Sequence, residues 1–443
     1  MARSETEAPT CAYARACGAC QHINQPYAQE LTDKQRFVTC LFGEAGLVTR
    51  SQLSQVMQPI KGMADPYYYR DKVISPFAPG RKMAAPGRAP AKKGSSKEQG
   101  RDGRRSKQAR REILTGMYAP HSHRLVRTDG CLVENAQANA VIVAVRQLMG
   151  KFDIPPYNED TNEGFMRHAV VRVGHHSGEV LVTLVTNGEE FPASRAFCRE
   201  LKKRCPFITS VVQNVNTRQT NVILGQRETR LYGPGFILDE LCGLTFRISS
   251  QSFYQVNAVQ TEVLYDTAIG LAGLDGTQDV IDAYCGTGTI GLVAASRGAR
   301  SVTGVDQVDS AIRDARENAR HNGIENARFC TGDAGAFMRQ IAADRADAVS
   351  SASGAAAEAG EAGALVPLVV FMDPPRAGST PQFLDALCAL APQRVVYISC
   401  NPKTQVRDAA YLAERGYVVK TVVPVDMFPH TEHIETVALL TRE

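Results

Sequence analysis

The chain has 443 residues, 44% hydrophobic and 22% charged, which allows two or three compact units and excludes both a single small module and wholesale disorder. Its formal net charge of +4 hides a local concentration, because residues 81–112 hold twelve Lys/Arg against three Asp/Glu and the remainder is acidic. Twelve cysteines are too dilute for a disulfide scaffold, no apolar run reaches the ~20 residues of a membrane span, and the first ten residues lack a signal-peptide apolar stretch, so a cytoplasmic enzyme with no membrane partner is expected.

In chain order, Cys11, Cys17 and Cys20 come first, followed by a helical pattern over 29–35, so this cluster sits near a helix start. Three closely spaced cysteines in a reducing compartment suit a soft metal, with a fourth ligand still to be supplied. Residues 79–112 are dominated by Pro, Gly, Ala, Lys and Arg and read as a mobile basic insertion. Alternating apolar runs at 169–173, 180–185 and 211–216 predict strands. From about residue 246 short Val/Ile runs alternate with helix-like runs, the βαβ rhythm of a doubly wound parallel sheet. The expected units are therefore 1–245 and 246–443, with the Ala/Gly/Ser/Glu-rich 342–364 as a low-complexity surface loop.

Within the second unit, 280–291 reads as a buried strand, a Gly-rich turn and a helix start. Gly286 and Gly288 would let backbone approach a nucleoside-sized ligand. The next strand ends at Asp306, placed to accept from ribose hydroxyls, and a further one leads to Asp333, suited to an adenine amine. Three such features without a phosphate-binding lysine loop favour S-adenosylmethionine over a dinucleotide. The run 368–372 then ends in Asp373-Pro374-Pro375-Arg376, where two prolines would hold the carboxylate rigidly against a base edge. Cys400 follows the strand 394–399 and precedes Asn401-Pro402, a turn that presents the thiol at the same sheet edge, while Glu432, His433 and Glu435 offer proton acceptors before a last apolar strand.

Taken together, Cys11-x5-Cys17-Gly18-Ala19-Cys20, Phe253-Tyr254-Gln255-Val256-Asn257, Asp282-Ala283-Tyr284-Cys285-Gly286-Thr287-Gly288, Asp373-Pro374-Pro375-Arg376, Ser399-Cys400-Asn401-Pro402 and His433-Ile434-Glu435 resemble, in this order, the RNA 5-methyluridine methyltransferase family, in its iron–sulfur branch acting on large-subunit (23S) ribosomal RNA. The resemblance implies an α/β protein: a C-terminal doubly wound, Rossmann-like S-adenosylmethionine-dependent methyltransferase domain behind an N-terminal α+β RNA-binding and iron–sulfur domain. It implies Cys400 as nucleophile, Glu435 as the base that removes the C5 proton, and Asp373 as a carboxylate shared by the substrate and cofactor sites. Gln255, Tyr284 and Asp306 would bind S-adenosylmethionine, with Asp333 beside them. Cys131 would complete a [4Fe-4S] cluster with Cys11, Cys17 and Cys20; Cys40 is the other candidate ligand and zinc the competing metal. Arg376 is the neighbour expected to activate the thiol, and Phe253 or Tyr254 could stack on an extruded uridine. A monomer is expected, lacking the small N-terminal RNA-binding barrel of many relatives. The other readings are a transfer-RNA uracil-C5 methyltransferase, an exocyclic-amine or small-molecule methyltransferase with no use for Cys400 and Glu435, and a non-catalytic RNA-binding assembly factor.

Overall fold

The computed structural model describes residues 9–82, 111–356 and 366–443. Most of the basic insertion, 83–110, and the end of the low-complexity stretch, 357–364, lie outside the described residues.

The chain starts with α1 (Ala14–Cys17), α2 (Tyr27–Glu44) and α3 (Leu53–Val56). A first sheet is built from β1 (Lys72–Lys82), β2 (Arg111–Tyr118), β3 (Leu125–Arg127), β4 (Met166–Val173), β5 (Val180–Thr186), β6 (Ile208–Val215) and β7 (Arg227–Tyr232), in the order β3-β2-β1-β4-β5-β6-β7. The predicted strands at 169–173 and 180–185 fall in β4 and β5, and that at 211–216 in β6 except for Asn216, just past its end. Helices α4 (Ala136–Lys151) and α5 (Ser194–Arg204) cover this sheet, packing Val141, Val145, Leu148, Phe197 and Leu201 against Val171, Val182 and Leu184. The edge strand β7, Arg-Glu-Thr-Arg-Leu-Tyr, is exposed and charged, which discourages pairing with another chain.

The basic insertion begins later than its composition suggested. Pro79 pairs with Ile113 and Lys82 with Arg111, so 79–82 and 111–112 are strand and the insertion joins the two arms of an antiparallel hairpin. Backbone pairing, which ignores side-chain apolarity, carries the strands past the last large hydrophobic residue.

A two-stranded hairpin, β8 (Phe236–Leu241) and β9 (Leu244–Ser249), leads into α6 (Ala258–Ala272), started by the Asn257 side chain and stopped by Gly273 in the left-handed region. The second sheet comprises β10 (Asp279–Ala283), β11 (Ser301–Asp306), β12 (Ala327–Thr331), β13 (Leu368–Met372), β14 (Arg394–Ser399), β15 (Tyr417–Val425) and β16 (Glu435–Arg442). Its order is β12-β11-β10-β13-β14-β16-β15, parallel through β14 and antiparallel at β16. Helices α7 (Thr289–Ser296), α8 (Asp309–His321), α9 (Ala334–Ala356), α10 (Pro381–Leu390) and α11 (Pro402–Ala413) alternate with the strands, giving the doubly wound fold. Strand order reverses between β10 and β13, the switch point at which such sheets bind ligands.

Two expected boundaries shift. The stretch expected to be a loop from 342 is helical as far as Ala356, because alanine favours helix even without an apolar stripe. The division at 245/246 cuts through β9, and the N-terminal segment does not stay with the first sheet. Val38, Phe42, Val56 and Met57 share a core with Ile281, Val370, Tyr397 and Val422. Met57 and Lys61 also form β-bridges to Val422 and Val425. The apolar side of α2 is satisfied by the second sheet, so the residues before β1 close the domain that holds the strand-end motifs.

Candidate active site

The carboxyl ends of β10, β11, β13 and β14 open on a cavity of about 830 Å³. Gln255, Tyr284, Gly286, Asp306, Asp333, Asp373, Cys400 and Glu435 all line it, so eight expected site residues converge from seven segments of chain.

One half of the cavity carries the Gly-rich turn and two acids at or just beyond strand ends. Tyr284, Gly286 and Gly288 all have positive φ (66°, 53° and 78°), so the turn after β10 winds through left-handed conformations. For Tyr284, which carries a Cβ, that conformation is strained, and it sets the ring on Phe383 at a centroid distance of 5.0 Å along the cavity wall. A Cβ on Gly286 would meet nothing within 4 Å, leaving room for a ligand against its backbone. Gly288 is not among the residues lining the cavity, and a Cβ there would meet Phe329 at 2.8 Å and Ala315 at 2.9 Å. Its smallness serves packing of the turn on β12 and α8. Asp306 accepts from the Gly286 N–H at 3.0 Å and the Val308 N–H at 2.8 Å, which fixes its carboxylate with lone pairs still free for hydroxyls. Asp333 lies two residues beyond β12 and is held by the Ala336 N–H at 2.7 Å and the Gln307 amide at 3.1 Å. Beneath the turn, buried Asp282 accepts from the Gly291 N–H at 2.9 Å, tying the strand to α7.

The other half carries the reactive groups. Glu435 is buried at the start of β16, and Asp373 opens onto the cavity after β13. Burial pushes both carboxyls up, Glu435 well above the ordinary carboxylate range and further raised by the charge of Asp373. Two carboxyls this close do not ionise together readily. Cys400 is pushed up to about 11, first by burial and then by Glu435 and Asp373, while Arg376 pulls it down. The lowering by Arg376 is thus outweighed by burial and the two carboxyls, which favours the thiol form. Arg376 also meets His433 Nδ1 at 3.2 Å, and its carbonyl accepts from the Asn401 amide at 3.0 Å, linking the Pro-Pro turn to the turn after Cys400. Phe253 is 68% exposed at the cavity; Tyr254 lines the cavity too, while packing on Phe246 against the core.

Sequence reasoning missed two supports. Asp408 on α11 accepts from the Tyr397 hydroxyl at 2.7 Å and the Ser379 N–H at 2.8 Å, bracing the turn after Asp373. Residues 428–434, before Glu435, are clamped from the N-terminal segment. His22 N–H donates to the His430 carbonyl at 3.0 Å, and the Tyr69 hydroxyl donates to the Pro429 carbonyl at 2.9 Å. The His430 N–H donates to Glu30 at 2.8 Å, and the Tyr67 ring stacks on His430 at 4.8 Å.

Cys11, Cys20 and Cys131 pack around Ile23, Tyr69 and Val133. Burial, then the neighbouring Cys131 and Cys17, push the Cys20 thiol up to about 12. Cys40 is exposed on α2. Four thiols near one another are soft-metal donor chemistry, but among the described residues no group of three or more His, Cys, Asp or Glu is arranged to hold a metal ion. Nor is any helix among them long and apolar enough to cross a membrane.

Comparison with known proteins agrees with this geometry. The sequence model of the tRNA (Uracil-5-)-methyltransferase family matches residues 240–443. An uncharacterised RNA methyltransferase of Staphylococcus aureus (strain MSSA476) is 37% identical over 438 residues, spanning 99% of this chain and 85% of the relative. One from Oceanobacillus iheyensis is 38% identical over 435 residues, spanning 98% and 83%. Among solved structures, the Pyrococcus abyssi tRNA (uracil-54, C5)-methyltransferase in complex with S-adenosyl-L-homocysteine shares the fold, with a TM-score of 0.66 at 23% identity over 94% of this chain and 84% of that one.

Proposed function

Since the chain belongs to the RNA uracil-5-methyltransferase family and is an S-adenosylmethionine-dependent enzyme, we propose that it methylates C5 of a uridine in large-subunit ribosomal RNA through a covalent bond between Cys400 and C6. The observation that carries this reading is the convergence of Cys400, Glu435 and Asp373 in one cavity with Asp306 and Asp333. An exocyclic-amine enzyme would have no use for that thiol and buried base.

The donor, when bound, supplies an electrophilic methyl sulfonium. Gln255, Tyr284, Gly286, Asp306 and Asp333 are proposed to hold it, the two acids through its hydroxyl and amine groups. Uracil C5 is a weak nucleophile. As the Cys400 thiol gives up its proton to solvent in the open cavity and sulfur adds to C6, the ring's electron pair moves toward C5 and the C4 oxygen, and C5 can then take the methyl group. Asp373, rigid behind two prolines, is placed for the base edge, and Phe253 for its face. Glu435 then accepts the C5 proton as sulfur leaves C6. Because the Asp373–Glu435 pair favours holding a proton, that proton must go to solvent before Glu435 can act.

Cys11, Cys17, Cys20 and Cys131 are proposed to ligate a [4Fe-4S] cluster, with zinc the competing occupant. The reaction has no redox step, so the site is proposed either to be structural, securing Tyr69 and the 428–434 segment, or to contact RNA. The ribosomal-RNA assignment is supported by the cysteine motif ahead of the methyltransferase motifs; the transfer-RNA reading is favoured by the description of the matching family. Mapping 5-methyluridine in ribosomal and transfer RNA from a strain lacking the gene, with and without the gene restored, decides between them. Loss from ribosomal RNA is expected, and loss confined to transfer RNA would overturn the assignment.

A further inference from the structure

A second cavity, of about 550 Å³, adjoins the first and shares Cys400 and Arg376 with it, but includes none of the proposed methyl-donor residues. Phe37 of α2, Lys403 of α11, His22 and His433 complete its useful walls. Phe37 is 40% exposed although its helix neighbours Val38 and Phe42 are fully buried. Lys403 Nζ lies 6.0 Å from the Phe37 ring centroid, and Arg376 meets an imidazole, so neither cation is drawn onto a carboxylate there. Of the acids at this cavity, Glu30 is paired with Lys34 and Asp33 with Arg36, leaving Glu432.

An open aromatic face beside two cations is the chemistry that binds a single-stranded nucleotide: the ring stacks a base and the cations hold a phosphate. The volume lies within the ~300–1,000 Å³ of small-ligand pockets. A uracil bonded to Cys400 remains attached to its strand, so the backbone must leave the reaction cavity close to Cys400. We propose that the second cavity holds the nucleotide next to the target uridine, its base against Phe37 and its phosphate between Arg376 and Lys403. This rests on the uridine-C5 reading above.

The test uses the full-length protein and an oligoribonucleotide spanning the mapped uridine, intact or abasic at the position on either side. Phe37→Ala should raise KM for the intact RNA at least about fivefold with kcat nearly unchanged, and Phe37→Tyr, which keeps the ring, should restore it. An abasic residue on one side should weaken binding to the unmodified protein but not further to Phe37→Ala. Lys403→Ala should shallow the log–log salt slope of binding by about 0.7, one phosphate. Unchanged KM in Phe37→Ala, or additive losses for abasic residues on both sides, would overturn the subsite while covalent trapping of 5-fluorouridine RNA still proceeds. Absence of trapping with every RNA overturns the uridine-C5 reading itself, and the subsite with it.

Discussion

Lys34 Nζ lies 2.7 Å from Asp426 Oδ1, a contact between residues 392 positions apart that is almost fully buried on both sides. The same ammonium is 2.7 Å from Glu30 Oε1, and Asp426 also accepts from the Tyr27 hydroxyl at 2.7 Å. This knot pins α2 to the segment running into Glu435, so the N-terminal helix helps set where Glu435 stands.

Lys34→Met should therefore be costly for stability, because it leaves Glu30 and Asp426 buried without their cation. Breaking a buried pair from one side costs about 3–5 kcal/mol. A urea titration should show that loss. A change below about 1 kcal/mol, the range of an exposed pair, would mean the knot is solvated.

Cys400 and Glu435 should fail differently. Cys400→Ala should abolish both methyl transfer and trapping of 5-fluorouridine RNA, since C5 is never activated. Glu435→Gln should allow addition and methylation but stall proton removal, so a methylated RNA–protein adduct accumulates on a denaturing gel. Normal turnover in the alanine variant would remove Cys400 from the mechanism, and no adduct in the glutamine variant would give Glu435 another role.

The pH profile follows from the same groups. With Cys400 pushed up to about 11, the sulfur is mostly thiol below that pH, and its thiolate fraction grows about tenfold per pH unit. The rate of adduct formation should rise steadily from neutral to alkaline pH. Arg376→Met removes the neighbour that lowers the thiol, so it should slow adduct formation throughout this range. On the acid side the raised Asp373–Glu435 pair stays protonated, so methylated adduct should persist in the unmodified enzyme as it does in Glu435→Gln. A flat trapping rate across this range would contradict the assignment.

Much of the site was legible in the sequence, because a buried β-run that stops at a polar residue has few reasons to do so other than a ligand. Asp306, Asp373 and Cys400 each follow that pattern at a parallel strand's end. The packing need at Gly288 was not legible, since a glycine admitting a ligand and one admitting a neighbour's ring look alike in sequence. Glu30 and Lys34, four apart on a helix, look like an ordinary solvent pair; only Asp426 and His430, brought by the fold from the far end of the chain, make them internal. Asp408 gave no local signal, because its partners lie on β14 and in the turn after β13. The low-complexity stretch misled because alanine supplies helix propensity without periodicity.

Metal analysis tests the cysteine site. Protein purified without oxygen should be brown and contain iron and sulfide, and Cys17→Ser or Cys131→Ser should bleach it. Stoichiometric zinc without sulfide would replace the cluster with a zinc site, and Cys40→Ser bleaching the protein while Cys131→Ser does not would move the fourth ligand.

The basic segment is expected to add sequence-independent RNA affinity. Replacing Arg101, Arg104, Arg105, Lys107, Arg110 and Arg111 should shallow the salt dependence of binding by about 0.7 to 0.9 for each phosphate no longer neutralised. Turnover of a saturating short RNA should stay nearly constant. An unaltered slope would leave the segment as a plain connection between β1 and β2.

In the second sheet β16 lies between β14 and β15, although β15 precedes it in the chain. During synthesis the ribosome therefore delivers β14 and β15 before the strand that must separate them. Until β16 slots in, Glu435, its first residue, has no place in the sheet. A growing chain that already carries the Gly-rich turn, the Pro-Pro carboxylate and Cys400 therefore lacks a completed cavity wall until β16 is made, and a ribosome stalled before that point displays an incomplete sheet.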